Sequence, residues 1–439
     1  MSEPRETTRA DRIFARLLAL GHGSVRGFRL MLAVYIFMLV LLPSGSILGF
    51  NVKVLWFLAL LPWALLIYIA RERATAGSAL LLLIVPAAML FWLLLAQGNG
   101  FEPSSSFGEF KDILVTICTC WFAALLCTES YDETIFFLRT VVRAEIAACV
   151  LKGSLLTYAI LRGIPVTEIA LWIKAVFGVD LMTYDFESML GRIQFHSDGL
   201  IPICIFVILC YRKRLSIGVS GAVGMLLLLL ISDFFAFSRY LWVFTVLALF
   251  LGLVLGKKDR FQLILLSIST VIVLACLPLL VTVISLRFSS TVVDSSDQDR
   301  VQQMPALHEF WESAPIMGHG LGSYTRRVIR SDDAPYSYEV QLLALAGQVG
   351  IVGILLFASL GIFYFRGLWL HIGGRVLLRL GLATMLLAWI AAGLVNPEVI
   401  SSAASVSYAA IFAMVCLLKE RPDPVASFAG DAVLEPLRG

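Results

Sequence analysis

Long apolar blocks separated by short polar segments dominate the chain. A helix needs about 20 apolar residues to cross about 30 Å of hydrocarbon. The pattern therefore predicts an all-α polytopic membrane protein with about twelve transmembrane helices and no internal repeat. The spans are expected at 28–49, 53–70, 78–96, 112–128, 134–161, 199–211, 216–232, 239–256, 262–286, 338–365, 376–395 and 399–418, of which the sixth and seventh are short.

Basic residues are concentrated in every second connection between these spans, and this alternation predicts the orientation of the spans in the membrane. Lysine and arginine accumulate on the cytoplasmic side of membrane proteins. Of the six segments expected on that side after the N-terminus, five are basic, including the start of the tail at 419–421, and the acidic segment 129–133 is the exception. This pattern places both termini in the cytoplasm. The segments expected on the outer side are 97–111, 162–198, 233–238, 287–337 and 396–398.

Composition agrees with a membrane protein. Of the 439 residues, 59% are hydrophobic and 15% are charged, against about 45–50% and 25% in soluble domains. The eight cysteines lie mostly in apolar runs, and Cys118 and Cys120 have no second pair to complete a metal site. We therefore expect no disulfide framework, no zinc and no other metal.

The spans divide the chain into five segments: a cytoplasmic segment 1–27, spans one to nine at 28–286, a large outer loop at 287–337, the last three spans at 338–418 and a cytoplasmic tail at 419–439. Segment 1–27 is too long for the basic end of a cleaved signal peptide. Apolar spacing from Ile164 to Phe177 predicts a short surface helix within loop 162–198. The amphipathic pattern at 301–312 predicts another helix, which Pro315 and nearby glycines end.

Arginines are unexpectedly frequent on the predicted outer side. In isolation, each is explained as a loop residue that snorkels or pairs with nearby acids, such as Asp294, Asp297, Asp299, Asp332 and Asp333. As a group they favour another interpretation, because the planar guanidinium group grips phosphate through paired hydrogen bonds. Arg192, Arg239 and Arg287 lie at span boundaries, where they can reach a shared cavity. They predict a site for a lipid-linked phosphate or diphosphate.

The run Gly318-His-Gly-Leu-Gly-Ser is not a nucleotide-binding loop, because it lacks the required lysine and follows no predicted strand. A tight turn that lets backbone approach backbone is the favoured interpretation. His319 is then either a satisfied polar residue, which is favoured slightly, or a general base.

Several of these features together resemble the O-antigen ligase/polymerase superfamily of bacterial envelope proteins. The matching features are an arginine entering a large outer loop (Arg287), a helix around Trp311, Pro315-Ile-Met-Gly-His-Gly-Leu-Gly-Ser-Tyr324, and Glu339 to Gly353 ending in Gly-x-x-Gly. Arg192 before Asp198-Gly-Leu-Ile-Pro and the Ser238-Arg239 step also fit. The resemblance covers about 190–355 by motif and implies a GT-C-like membrane fold.

The resemblance implies a metal-independent glycosyltransferase on the periplasmic face of the bacterial inner membrane. Its donor would be an undecaprenyl-diphosphate-linked glycan, and its acceptor a second glycan. Glu339 stands where the ligases carry histidine, Val340 where they carry asparagine, and Gln348 replaces a later acid. These departures favour a polymerase over a ligase that uses lipid A–core. A chain-length regulator is a possible partner, nucleic acid is not, and no cofactor is expected.

Roles for individual residues follow from that resemblance. Glu339 is the candidate general base, although a helix cap or an ion-pair partner is an equally simple role. Arg239 and Arg287 would stabilise the leaving diphosphate. The candidate substrate-binding residues are Arg192, Arg300, His319, Tyr324, Arg326 and Tyr338; interfacial aromatics are also ordinary belt residues. The main alternative of another class is a transporter or flippase of lipid-linked glycans, suggested by Arg139, Arg143, Glu145 and Lys152 within the fifth span.

Overall fold

The computed structural model of the chain describes residues 9–42, 46–47, 50–70, 76–177, 182–185, 191–256, 291–331, 334–370, 375–397 and 399–419. Within these ranges the chain is overwhelmingly helical. The helices are α1 Arg9–Leu41, α2 Val52–Ala70, α3 Ala76–Gly98, α4 Pro103–Cys127, α5 Tyr131–Arg162, α6 Val166–Phe177, α7 Ile201–Tyr211, α8 Val219–Phe235, α9 Arg239–Leu255, α10 Thr291–Ser313, α11 Gln341–Tyr364, α12 Gly367–Leu370, α13 Val376–Ala391 and α14 Ala404–Cys416.

A helix occupies every predicted span that falls within the described residues, and the ninth span, 262–286, lies outside them. Among the described helices, four segments are long and apolar enough to cross a membrane: Val52–Ile69, Pro103–Cys127, Gln341–Tyr364 and Val376–Leu394. Five shorter apolar helices accompany them. Large apolar side chains such as Leu94, Val243 and Leu377 are exposed on the helix surfaces, as lipid contact requires. The chain is thus an all-α membrane protein, and the count of twelve spans stays a prediction.

Short antiparallel hairpins add to the predicted all-α architecture at two places in the described ranges. β1 Ser46–Ile47 pairs with β2 Phe50–Asn51, and β3 Met182–Asp185 pairs with β4 Gly191–Gln194. The second hairpin aligns Tyr184 with Arg192. It lies in segment 162–198, where α6 confirms the predicted helix, and the place of this helix on the membrane surface stays a prediction. The helix predicted at 301–312 is also confirmed, and α10 extends it in both directions.

Local sequence signals explain several helix boundaries. Ser130 caps α5 by accepting a hydrogen bond from the Glu133 N–H at 3.2 Å, as N-cap serines do. Gly163 ends α5 in the left-handed conformation, with φ of 64°. Pro103 begins α4, where its missing N–H has no helical partner to lose.

Buried apolar residues of the described chain form one large core and two small ones. The large core joins α1, α2, α4, α5, α7 and α14. One small core places Trp92, Leu321 and Val349 together, and the other places Leu307, Tyr338 and Val340 together. Both small cores tie the loop between α10 and α11 to the helices around it. This loop, residues 314–340, carries most of the candidate site residues.

Candidate active site

Glu339 lies between two arginines at the end of this loop. Its Oε2 is 2.7 Å from Arg300 Nε, and its Oε1 is 3.5 Å from Arg330 Nη2. The glutamate side chain is 12% exposed, and the two arginine side chains are 27% and 29% exposed. A carboxylate and two guanidinium groups are therefore held together at a partly solvated surface. We call Arg300, Arg330 and Glu339 the carboxylate site.

The structure separates the two simple roles foreseen for Glu339. The N-cap residue of α11 is Val340, and no side chain caps that helix. Glu339 is an ion-pair partner instead, and its own N–H donates to Gln303 Oε1 at 3.0 Å. Gln303 lies on α10, close to Arg300. Both the backbone and the carboxylate of Glu339 are thus positioned by α10.

A chain of contacts links the carboxylate site to the start of α9. Arg300 Nη2 donates to the Val395 carbonyl at 3.1 Å, just beyond the end of α13. About two helical turns earlier, the Ala388 carbonyl accepts a hydrogen bond from the Tyr240 hydroxyl. Tyr240 follows Arg239, the first residue of α9. Arg300 and the first turn of α9, which carries Arg239, therefore both bond to the C-terminal part of α13 or the residues just after it, although Arg239 and Arg300 are 61 positions apart along the chain.

Arg192, on the β3–β4 hairpin, contacts the turn between α8 and α9. Its Nε donates to the Ala236 carbonyl at 3.0 Å, and its Nη2 donates to Gln194 Oε1. Ala236 precedes Phe237, which has a φ of 47° and is buried. This conformation is strained for a bulky residue, and such strain concentrates at functional sites. The turn that delivers Arg239 is thus held by Arg192.

The remaining predicted arginines differ in placement. Arg287 lies outside the described residues. Arg326 is exposed on the surface of the loop. Its neighbour Arg327 pairs with Glu309 through an exposed contact of 2.7 Å. Among the described residues, Arg192 bonds to the turn that precedes Arg239, Arg300 pairs with Glu339, and Arg326 lies exposed on the loop surface.

The glycine run forms a backbone clamp, which confirms the predicted tight turn. Gly318, Gly320 and Gly322 have φ values of 71°, 102° and 75°. α11 breaks opposite them at Gly350, where φ is 62°. The break frees backbone groups for the run: His319 N donates to Gly347 O at 3.0 Å, Gly320 N donates to Gln348 O at 2.8 Å, and Ile351 N donates to Pro315 O at 2.9 Å.

Two further helices complete this clamp. Leu321 N donates to the Trp92 carbonyl of α3 at 3.0 Å, and the Trp92 indole donates to Met317 O at 2.8 Å. On α4, the buried Glu109 accepts a hydrogen bond from Gly322 N. Gln348 of α11 donates from Nε2 to Ser323 O at 3.0 Å. We call Pro315–Ser323 with these partners the glycine clamp.

The side chain of His319 packs and hydrogen-bonds against α10 beside the glycine clamp. Its ring stacks on Phe310 with centroids 4.3 Å apart, and Nε2 lies 2.8 Å from Ser313 Oγ and 3.0 Å from Phe310 O. These contacts engage Nε2 and one face of the ring within the protein, which agrees with the favoured interpretation. A role in binding substrate stays a prediction for this residue.

The two predicted tyrosines face the interior of the loop. Tyr338 is buried; its hydroxyl donates to Val328 O at 3.1 Å and accepts from Thr325 N at 3.0 Å. Burial raises the pKa of Tyr338 to about 12. Tyr324 packs edge-on against Phe101, with ring centroids 5.5 Å apart. The ring of Tyr338 is buried with Leu307 and Val340, so its faces are closed to a sugar ring in this structure.

Sequence reasoning missed three features of this region. Arg330 was one arginine among several, because nothing in the pattern pairs it with Glu339. Glu109 was not singled out within the outer segment 97–111, yet it lies buried beneath the glycine run. Lys152 was noticed as a charge within a span, but its ion pair with Asp198 was not foreseen. A charge inside an apolar segment was the available signal for Lys152.

No group of three or more metal-ligating side chains occurs among the residues that the structure describes. The chemistry of the site is carried by guanidinium groups and a carboxylate. Such groups can bind an anionic leaving group and accept a proton.

Residues 224–358 match the protein-family model described as O-antigen ligase. A search of curated proteins found no match. The matched range contains Arg239, Arg300, the run Pro315–Ser323 and Glu339, whereas Arg192 and the clamp partners Trp92 and Glu109 precede it. The chain resembles the O-antigen ligase/polymerase superfamily, and the match supports a membrane enzyme of polysaccharide assembly that acts on lipid-linked glycans.

Proposed function

We propose that the protein is a glycosyltransferase that joins undecaprenyl-diphosphate-linked glycan units on the periplasmic face of the inner membrane. The observation that carries this proposal is the ion pair between Arg300 and Glu339. Arg300 and the first turn of α9, which carries Arg239, both bond to the C-terminal part of α13 or the residues just after it, and Arg192 bonds to the turn before α9. Cations grouped near a membrane boundary suit a diphosphate that is anchored in the lipid. The family match lends support from independent information.

In the proposed reaction, a sugar hydroxyl of the acceptor attacks the anomeric carbon of the donor glycan. The bond between that carbon and the diphosphate oxygen breaks, and undecaprenyl diphosphate leaves with the bonding electrons. Arginines stabilise the charge that develops on the leaving group, which is the kind of electrostatic help that preorganised cations provide. The hydroxyl proton passes to the carboxylate of Glu339.

Glu339 and a diphosphate would compete for the same guanidinium groups. Arg300 and Arg330 now surround a carboxylate at a partly solvated surface, where ion pairs are weak and exchangeable. Phosphate oxygens are also good partners for arginine, because each guanidinium can offer two parallel hydrogen bonds. Donor binding would therefore turn these arginines towards the diphosphate and release the carboxylate for the acceptor hydroxyl.

The test is transfer by the purified protein in liposomes. An undecaprenyl-diphosphate-linked glycan is supplied as donor, with either a second lipid-linked glycan or lipid A–core as acceptor. We expect longer lipid-linked glycans with the first acceptor and release of undecaprenyl diphosphate. Absence of release with both acceptors would contradict the proposal.

The second candidate function is transfer of the glycan to lipid A–core. It is favoured by the description of the matching family as O-antigen ligase. It is disfavoured by Glu339, which stands where the ligases of the superfamily carry histidine. Products formed only with lipid A–core would decide for the ligase.

A further inference from the structure

A second set of charges lies buried within the helices, away from the carboxylate site. Lys152 of α5 is fully buried, and its Nζ is 2.7 Å from Asp198 Oδ2. Lys152 Nζ also donates to the Ser232 carbonyl at 2.8 Å. The Asp198 side chain is 2% exposed. These side chains cannot exchange with water or ligand as the charges of the carboxylate site can.

Asp198, the acidic partner of Lys152, fixes the segment that carries Arg192. Asp198 Oδ2 accepts a hydrogen bond from the Phe195 N–H at 3.0 Å, which closes the turn after β4. Arg192 lies on β4, three residues before Phe195. The direction in which β4 leaves the helices therefore depends on where Lys152 holds the Asp198 carboxylate.

The second hydrogen bond of Lys152, to the Ser232 carbonyl, fixes the turn that carries Arg239. Ser232 lies in the last turn of α8, and its carbonyl also accepts from Ala236 N at 3.2 Å. The Ala236 carbonyl is in turn the acceptor for Arg192 Nε. The strained Phe237 follows, packed between Phe234 and Trp242 with centroids 5.6 and 6.2 Å away. Lys152 is thus bonded to both segments that present arginines.

We infer that Lys152 and Asp198 are positioning residues that hold Arg192 and Arg239 in register with each other. This inference rests on the proposed function, since it assigns the arginines a shared ligand. A buried ion pair is a weak source of net stability, and apolar replacement of both partners is often neutral or stabilising. Stability alone therefore does not explain why a lysine and an aspartate are placed here.

The experiment compares full-length protein with the double variant Lys152→Met/Asp198→Asn. This change removes both charges of the pair together, and asparagine keeps an oxygen for the Phe195 N–H. The matched control is Arg29→Met/Glu133→Gln, which removes an ion pair of 3.1 Å near the other end of α5, about 28 Å away by helical rise. Both double variants are expected to insert and remain folded.

Two measurements are made on each protein. Amide hydrogen exchange is followed at 191–198 and 232–240, where we expect about tenfold faster exchange in the Lys152/Asp198 variant and no change in the control. Equilibrium binding of undecaprenyl diphosphate is measured with and without Arg192→Ala. We expect about tenfold weaker binding in the pair variant and little further loss when Arg192→Ala is added, because the pair variant has already displaced Arg192.

The outcomes separate this inference from the proposed function. Unchanged amide exchange in the two segments would overturn the positioning role, whatever the ligand. Faster exchange with fully additive losses of binding would also overturn it, because the pair would then act only on stability. Absence of saturable binding to the unmodified protein would overturn the proposed function, and the exchange data alone would then decide the positioning role.

Discussion

The loop between α10 and α11 is held at its two ends by different forces. The glycine clamp is built from backbone hydrogen bonds to α3 and α11 and from a buried carboxylate on α4. The carboxylate site is built from long charged side chains that are 12 to 29% exposed. Backbone bonds at fixed distances cannot be exchanged for a ligand, whereas solvated ion pairs can. The clamp is thus suited to a structural role, and the carboxylate site is suited to a catalytic role.

The largest expected effect comes from breaking the clamp with Gly320→Ala. A Cβ at this position would lie 2.2 Å from Ala96 N and 2.5 Å from Trp92 O, and φ is 102°. Since both neighbours are helix backbone, they cannot move aside. Left-handed strain of about 1–2 kcal/mol and overpacking of about 1–3 kcal/mol add together. We expect little folded protein in the membrane, measured by thermal unfolding of the detergent-solubilised chain.

Gly361→Ala is the matched control for the clamp. Gly361 lies on α11, the helix that supplies backbone partners to the clamp. A Cβ added at Gly361 would meet no neighbouring part of the described chain within 4 Å. Alanine there is expected to be neutral or to stabilise the helix by about 0.5–1 kcal/mol. Equal melting temperatures for Gly320→Ala and the unmodified protein would refute the account of the clamp as scaffold.

Arg300→Ala tests the carboxylate site. The change removes the guanidinium that contacts both Glu339 and Val395. We expect kcat for glycan transfer to fall by about 100- to 1000-fold, as when one transition-state charge partner is lost, while the protein still inserts. Arg327→Ala is the control, because its pair with Glu309 is exposed and of small value. Comparable losses in both variants would mean that the effect reflects general surface charge.

Glu339→Gln sharpens the comparison by separating binding from chemistry. The amide cannot accept a proton as a carboxylate does, so kcat is expected to fall by about 100-fold or more. The same change weakens the competition for Arg300 and Arg330, so KM for the donor should stay equal or decrease. Steady-state kinetics with varied donor measures both quantities. A raised KM with unchanged kcat would assign Glu339 to binding instead.

The same division between backbone and charge explains what the sequence could predict. Helices follow from apolar length, and the turn at 318–322 follows from glycine, because both signals are local. The partners of that turn, Trp92 and Glu109, lie more than 200 positions away, and no local pattern pairs them. For the outer arginines the sequence offered only nearby acids as partners, yet the fold pairs Arg300 with Glu339, which is 39 positions away.

Long-range pairing also explains the missed charge network. Lys152 stood out as a lysine within an apolar span, which indicates a partner but does not say which one. Asp198 was seen only as part of a motif that enters the next span. Their ion pair depends on how α5 packs beside the turn after β4, which is a tertiary property. The individual residues were therefore visible in the sequence, and their association was not.

The smallest expected effect comes from Tyr338→Phe, at the junction of the two regions. The ring packs with Leu307 and Val340, and the hydroxyl bonds to the turn at 325–328. Loss of these bonds should lower the free energy of unfolding by about 1 kcal/mol, read as a lower melting temperature. A ring that served only to stack on sugar would tolerate phenylalanine, because the aromatic face remains. An unchanged melting temperature would contradict this role of the hydroxyl, and a lowered one assigns the hydroxyl to holding the loop that presents Glu339.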